Sequence, residues 1–152
     1  MAPVPLTLRE GRPEDAAVLA SIHVRSRTTA MPWIALVHDE AETRDWMEHH
    51  VLAHQHVLVA ERDGAVVGFA AVHDDWLEQL YLEPDVIGTG VGRFLLEAAQ
   101  ALRPDGLQLW CFTENHRARR FYERAGFELV EQGDGSGNEE GEPDSRYVWR
   151  ER

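Results

Sequence analysis

The sequence predicts an α+β domain in which a mixed, mostly antiparallel sheet of about seven strands carries about four helices on its two faces. Three observations predict it. Residues 56–82 read as three consecutive strands separated by the turn pairs Asp63-Gly64 and Asp74-Asp75, an antiparallel meander. A helix-period stripe at Val91, Phe94, Leu95, Ala98 and Leu102 lies between two strands, as a right-handed parallel crossover requires. A second helix–strand pair and a final strand follow, and the 152 residues suit a single domain with one core over 1–152.

In chain order, Leu6-Thr7-Leu8-Arg9 is a first strand, broken at Gly11-Arg12-Pro13, and Pro13-Glu14-Asp15 has the make-up of a helix first turn. Leu19, Ile22 and Ser26 give that helix its inner stripe, and residues 28–38 are irregular. A second helix is expected over about residues 41–53, with Trp46 and Met47 on its buried side. The three meander strands follow, and Glu83-Pro84-Asp85 ends the last of them. Pro104-Asp105-Gly106 stops the crossover helix. Leu107 to Phe112 alternates little, so it is expected to be a strand covered on both faces. Asn115 is a good N-cap, Ala118, Phe121, Tyr122 and Ala125 form a stripe, and Gly126 suits the residue after a helix end. Strands over 127–131 and 146–149 close the order, joined by a polar, acidic, glycine-rich loop over 133–145.

Apolar residues make up 43% and charged residues 28%, an ordinary globular balance. No apolar run approaches the roughly 20 residues needed to span a bilayer. Met1-Ala2-Pro3-Val4-Pro5-Leu6 has no basic segment ahead of an apolar one, so no signal peptide is expected. The single cysteine, Cys111, rules out an intramolecular disulfide and suits a reducing, cytoplasmic compartment. The net charge of −12 opposes nucleic acid and anionic membrane as partners and favours, weakly, a cationic or amine partner. An anionic ligand would need backbone dipoles or a few arginines here.

Residues 80–94 supply them. The strand ending at Leu82 leads through Ile87-Gly88-Thr89-Gly90-Val91-Gly92 into the crossover helix with Arg93 and Phe94. Glycines permit close approach and positive φ, and the free N–H groups at a helix start converge on an anion. The plain alternative is a simple loop. The dinucleotide fingerprint would need glycine where Arg93 stands, and a P-loop would need Gly-Lys-Ser/Thr.

This segment resembles the pyrophosphate loop of the GNAT superfamily of acyl-CoA-dependent N-acetyltransferases, and the run from Asn115 through Ala118, Phe121 and Tyr122 to Gly126-Phe127 resembles that family's second motif. Ile87 departs from the family's usual Gln or Arg, so a side-chain contact to the pyrophosphate is not expected there. The resemblance implies a three-layer α/β/α fold whose strands 4 and 5 splay apart, with acetyl-CoA as co-substrate and no metal. It implies that the pantetheine arm pairs with Leu80, Tyr81 and Leu82, and that the pyrophosphate meets the N–H groups of Ile87, Gly88, Thr89, Gly90, Val91 and Gly92 near Arg93. Asn115, Ala118 and Phe121 would line the other wall, and Arg117 and Arg120 either reach phosphate or sit on a solvated helix face.

It also implies that Tyr122 is the general acid toward the thiolate; the alternative is a tyrosine packed beside Phe121. Glu78, placed by period-two alternation on the face of Trp76, Leu80 and Leu82, is either the general base or a solvent-facing carboxylate, and His73 is a weaker candidate. The acceptor would be a small-molecule or peptide amine, met by Trp33, Trp76 and Glu139 with Glu140; alternatively Trp33 caps the core and the glutamates belong to a disordered loop. His49, His50, His54 and His56 lack a matching ligand set and read as a solvated helix end, and Cys111 reads as packing. A non-catalytic acyl-CoA-binding regulator on the same fold is the competing function, and the sequence leaves a homodimer open.

Overall fold

The computed structural model describes residues 5–151, so Met1 to Val4, on which the reading of the N-terminus partly rests, lie outside the described residues. One sheet has the order β1-β2-β3-β4-β5-β7-β6. Its strands are β1 (Leu6–Glu10), β2 (His56–Arg62), β3 (Ala65–His73), β4 (Trp76–Leu82), β5 (Leu107–Phe112), β6 (Glu128–Gly133) and β7 (Asp144–Trp149). Among the described residues only the β4–β5 pairing is parallel. No helix among the described residues is long and apolar enough to cross a membrane.

The β2–β3 turn has Asp63 at φ 54° and Gly64 at φ 77°, the two positive values that a two-residue hairpin turn matched to strand twist demands. α1 (Ala16–Ala30) follows a 3-10 turn at Pro13–Asp15. α2 (Glu40–Trp46) starts at a capping box: Asp39 Oδ1 accepts from the Glu42 amide at 2.8 Å, and Glu42 Oε1 accepts from the Asp39 amide at 3.2 Å. It continues through a π-helical turn (Met47–Val51) into α3 (Leu52–His54), so these segments make one rod. α4 (Val91–Leu102) and α5 (His116–Arg124) complete the helices, and Asn115 caps α5 by accepting from the Ala118 amide at 3.3 Å.

Two apolar layers sandwich the sheet. Leu58, Ala70, Leu95, Leu107 and Tyr147 pack on the α4 side; Leu19, Ile22, Met47, Val59 and Phe69 pack on the α1–α2 side. Two expectations need correction. Trp46 is exposed while its neighbour Met47 is fully buried, because adjacent helix positions point about 100° apart. β5 is not covered on both faces: Trp110 is exposed on it. β7 lies between β5 and β6, a crossing that strand spacing alone does not reveal.

The parallel pair opens the sheet. β4 and β5 share one register pair, Trp76 with Gln108, fastened by the Gln108 amide donating to the Asp75 carbonyl at 2.8 Å. Beyond it the strands part, leaving a wedge toward their carboxyl ends. The Glu83 amide donates to the Val67 carbonyl at 2.9 Å. Backbone groups alternate in direction along a strand, so Leu80 and Leu82 turn theirs away from β3 and into the wedge.

Candidate active site

The wedge opens into a cleft of about 1000 Å³. Leu80, Tyr81 and Leu82 form one wall, the turn residues Ile87, Gly88, Gly90 and Gly92 form the floor with Arg93, and Asn115, Ala118, Phe121 and Tyr122 of the α5 segment form the far wall. Gly88 (φ 84°) and Gly90 (φ 98°) both take left-handed backbone. A Cβ placed on Gly90 would meet nothing within 4 Å, so the turn is open above it. The Ile87 amide donates to the Pro84 carbonyl at 3.4 Å and the Thr89 amide to the Val86 carbonyl at 3.2 Å. Those two donors are therefore taken, whereas the amides of Gly88, Gly90, Val91 and Gly92 have no partner among the described residues. Four free donors at the start of a 12-residue helix, with Arg117 Nη2 3.3 Å from where a Gly88 Cβ would sit, fit a diphosphate.

Tyr122 is the buried residue of α5. Its ring meets Phe121 at 5.3 Å and Phe127 at 5.6 Å, both edge to face, so packing fixes its direction. Burial, with added repulsion from Cys111 and Tyr81, pushes its phenol above the ordinary tyrosine range, so it keeps its proton. Burial likewise pushes the Cys111 thiol up to about 12, which leaves no thiolate for nucleophilic work.

A second cleft, of about 630 Å³, is lined by α1, α2, β4, β5 and the loop before β7. Arg27 and Tyr81 line both clefts and mark where they meet. Arg27 pairs with Glu140 at 3.5 Å and stands 5.6 Å from the centre of the Phe112 ring. His38 bridges Glu42 (3.4 Å) and Glu139 (3.0 Å) across the mouth. Asn138 orders the loop that carries these glutamates: its Nδ2 donates to the Glu142 carbonyl at 2.8 Å and to Asp144 Oδ2 at 3.1 Å, and its Oδ1 accepts from the Glu142 amide at 3.2 Å.

The sequence matches the model of the Acetyltransferase (GNAT) domain over residues 53–129. The chain belongs to the GNAT acetyltransferase family. It is 33% identical over 132 residues to the peptidyl-lysine N-acetyltransferase YjaB of Escherichia coli K12, spanning 82% of this chain and 84% of that protein. The solution structure of apo YjaB superposes with a TM-score of 0.76 at 25% identity, over 97% of this chain and 99% of that one. A GCN5-related N-acetyltransferase from Rhodopseudomonas palustris gives 0.80 at 25% identity, over 99% and 98%. The yncA structure of Salmonella typhimurium, described with its cofactor acetyl-CoA, shares the fold at 0.71 and 21% identity, over 96% and 94%.

Within this GNAT fold the residues expected from sequence divide. The wedge brings together Leu80, Tyr81, Leu82, Ile87, Gly88, Gly90, Gly92, Arg93, Asn115, Ala118, Phe121 and Tyr122, and Glu139 lines the second cleft. Thr89 and Val91 do not line the cleft with their side chains: Val91 is fully buried in the core, and Thr89 bonds back to the Val86 carbonyl. Glu78 is the extra residue of a β-bulge between the pairs Ala71–Gln79 and Val72–Leu77. The bulge interrupts the alternation that was to place it with Leu80 and Leu82, and it is exposed, lining neither cleft. Trp33 is 52% exposed and Trp76 sits at the zipped end of the wedge; neither lines a cleft, nor does His73. Asp45, Glu48 and His49 cluster on an exposed helix face, with His49 Nε2 3.5 Å from Asp45 and 3.3 Å from Glu48. The residues that sequence reasoning missed are His23, Arg27, Glu42 and Gln79. Leu19, His23 and Arg27 are spaced by four, so the recognised inner stripe already pointed two polar side chains at the sheet.

Proposed function

We propose that this GNAT enzyme transfers an acetyl group from acetyl-CoA to a primary amine, on a small molecule or a peptide, by direct attack in a ternary complex with Tyr122 as general acid. The observation that carries the reading is Tyr122 itself, a protonated phenol held by packing in the wall of the cleft whose floor is the glycine turn. The free amides of Gly88, Gly90, Val91 and Gly92 would hold the diphosphate, with Arg93, Arg117 and Arg120 adding charge from the cleft edge. The pantetheine arm would pair with the wedge-facing backbone of Leu80 and Leu82, and the Leu82 amide would donate to the developing oxyanion. Asn115, Ala118 and Phe121 would cover the arm, and Tyr122 would give its proton to the departing thiolate.

The amine would enter through the second cleft and meet the thioester where Arg27 and Tyr81 join the two spaces. Nothing in the position of Glu78 supports it as the base, so deprotonation is assigned to solvent in the acceptor cleft. The naming of YjaB as a peptidyl-lysine acetyltransferase supports an amine acceptor, and the acetyl-CoA named with yncA supports the donor. Thiol release from acetyl-CoA across a panel of primary amines and lysyl peptides tests the reading. Tight coenzyme A binding with no release for any amine would favour the non-catalytic regulator instead.

A further inference from the structure

Amine attack needs a neutral amine, and the groups around the junction of the two clefts are poor takers of its proton. His23 is 8% exposed and bonded to Gln79; burial, then the charge of Arg27, holds its imidazole down to about 4. Tyr81, Tyr122 and the nearby Cys111 are all pushed up by burial and keep their own protons. Glu140 is tied to Arg27 at 3.5 Å. Among the described residues Arg27 is the one charged side chain that lines both clefts, and that side chain is only 15% exposed. The Phe112 ring, 5.6 Å away, steadies the guanidinium without neutralising it.

A cation in that place acts on the amine directly, because a buried like charge disfavours the ammonium form. The opposing charges are weaker there. Glu42, Asp45 and Glu139 are each more than half exposed at the mouth, with His38 between Glu42 and Glu139, so water screens them. Glu140 is as buried as Arg27 but lines the second cleft alone. Burial raises the Tyr81 phenol, and against that Arg27 lowers it by more than Glu140 raises it. On the cofactor side, Arg117, Arg120 and Arg124 of α5 add the same sign, as does Arg93 of α4, itself paired with Glu97.

We propose that Arg27 sets the charge of the acceptor: its cation at the junction makes the entering ammonium give a proton to water in the second cleft, so that a neutral amine reaches the thioester without a protein base. The inference rests on the acetyl-transfer reading above. The neutral nitrogen adds to the thioester carbonyl carbon, the C–S bond breaks, and the sulfur takes the Tyr122 proton. The new amide nitrogen then releases its second proton, which returns through water to Tyr122.

The dependence of kcat on pH tests it, at saturating acetyl-CoA and saturating acceptor, with the amine of the panel that turns over fastest, since kcat reports ionisations in the ternary complex. In the parent enzyme the rise of kcat should have its midpoint about 1–3 pH units below the solution pKa of that amine. Arg27→Gln should move the midpoint up by about one unit or more, and Glu140→Gln, which frees the cation, should move it down. Melting temperature and coenzyme A affinity serve as folding controls. Arg27→Lys, which retains the cation, gives a second readout. The sequence contains no lysine, so this variant carries a single side-chain amine, at the junction. Incubation with acetyl-CoA should acetylate it, as located by peptide mapping. A midpoint unchanged in Arg27→Gln, or a rise that vanishes in Glu140→Gln as loss of a base would make it, overturns the inference and leaves the transferase intact. So does the absence of an acetyl group at residue 27 while coenzyme A still binds. No thiol release for any amine of the panel overturns both.

Discussion

Tyr147 donates its phenolic hydrogen to Glu123 Oε2 at 2.6 Å, while Arg119 donates to the same phenol oxygen at 2.9 Å. β7 thereby holds α5 on both sides of Tyr122, the helix's buried residue. Tyr147→Phe removes the shared oxygen and leaves a carboxylate and a guanidinium without their common partner. It should cost about 1–3 kcal/mol in urea unfolding. It should also lower kcat more than it raises KM for acetyl-CoA, since the displaced group is Tyr122 and not the glycine turn.

Tyr122→Phe deletes the proton donor and leaves the ring packed between Phe121 and Phe127. The turnover number should fall by about 10²- to 10⁴-fold, the usual worth of a general acid, with coenzyme A affinity nearly unchanged. Titration calorimetry beside single-turnover kinetics separates the two, and an unaltered rate would remove Tyr122 from the chemistry.

Gly90 and Gly92 should respond differently to alanine. At Gly90 the new methyl meets nothing, but φ of 98° is a left-handed conformation costly for any side chain. The turn would relax away from it, weakening acetyl-CoA binding by roughly tenfold. At Gly92 the nearest atoms, on Leu82 and Phe121, stand at 3.4 Å, an ordinary contact, so Gly92→Ala should bind nearly as the parent does. Calorimetric dissociation constants for both variants check the contrast.

The His38 bridge makes the rim of the second cleft pH-sensitive. Bonds to Glu139 first, then to Glu42, raise the His38 pKa above its ordinary value. A raised folded value means that the contribution is fully present below the unfolded pKa, about 6.5, and is lost as pH rises through the folded one. Hydrogen exchange in residues 134–143 should therefore quicken from pH 6 to pH 8 beyond the intrinsic rate change. His38→Gln should abolish that excess; an unchanged excess would show that the bridge does not hold the loop.

Most of the lining of the larger cleft was legible in the sequence because it is local. A glycine turn between a strand and an amphipathic helix has a fixed chemistry, and Asn115, Ala118, Phe121 and Tyr122 follow one helical period. Glu78 was misplaced because a bulge changes the alternation without leaving a mark in residue types. Trp46 was put inside because hydrophobicity says only that a side chain gains from cover, not that the chain supplies it. His23 and Arg27 were overlooked because polar residues on an inner stripe look like defects until the sheet opens beneath them. The place of β7 depends on pairing between segments distant in sequence, which no local pattern encodes.

The interposed β7 also sets a timetable for synthesis. β5 and β6 leave the ribosome before the strand that separates them, and each then presents an unsatisfied backbone edge. A nascent chain that has reached Gly141 already contains every amide of the glycine turn, yet α5 still lacks its anchor at Tyr147. Competence to bind coenzyme A should thus arrive late and abruptly, when a six-residue segment slots home. Until then the half-built sheet is a natural target for chaperones and proteases.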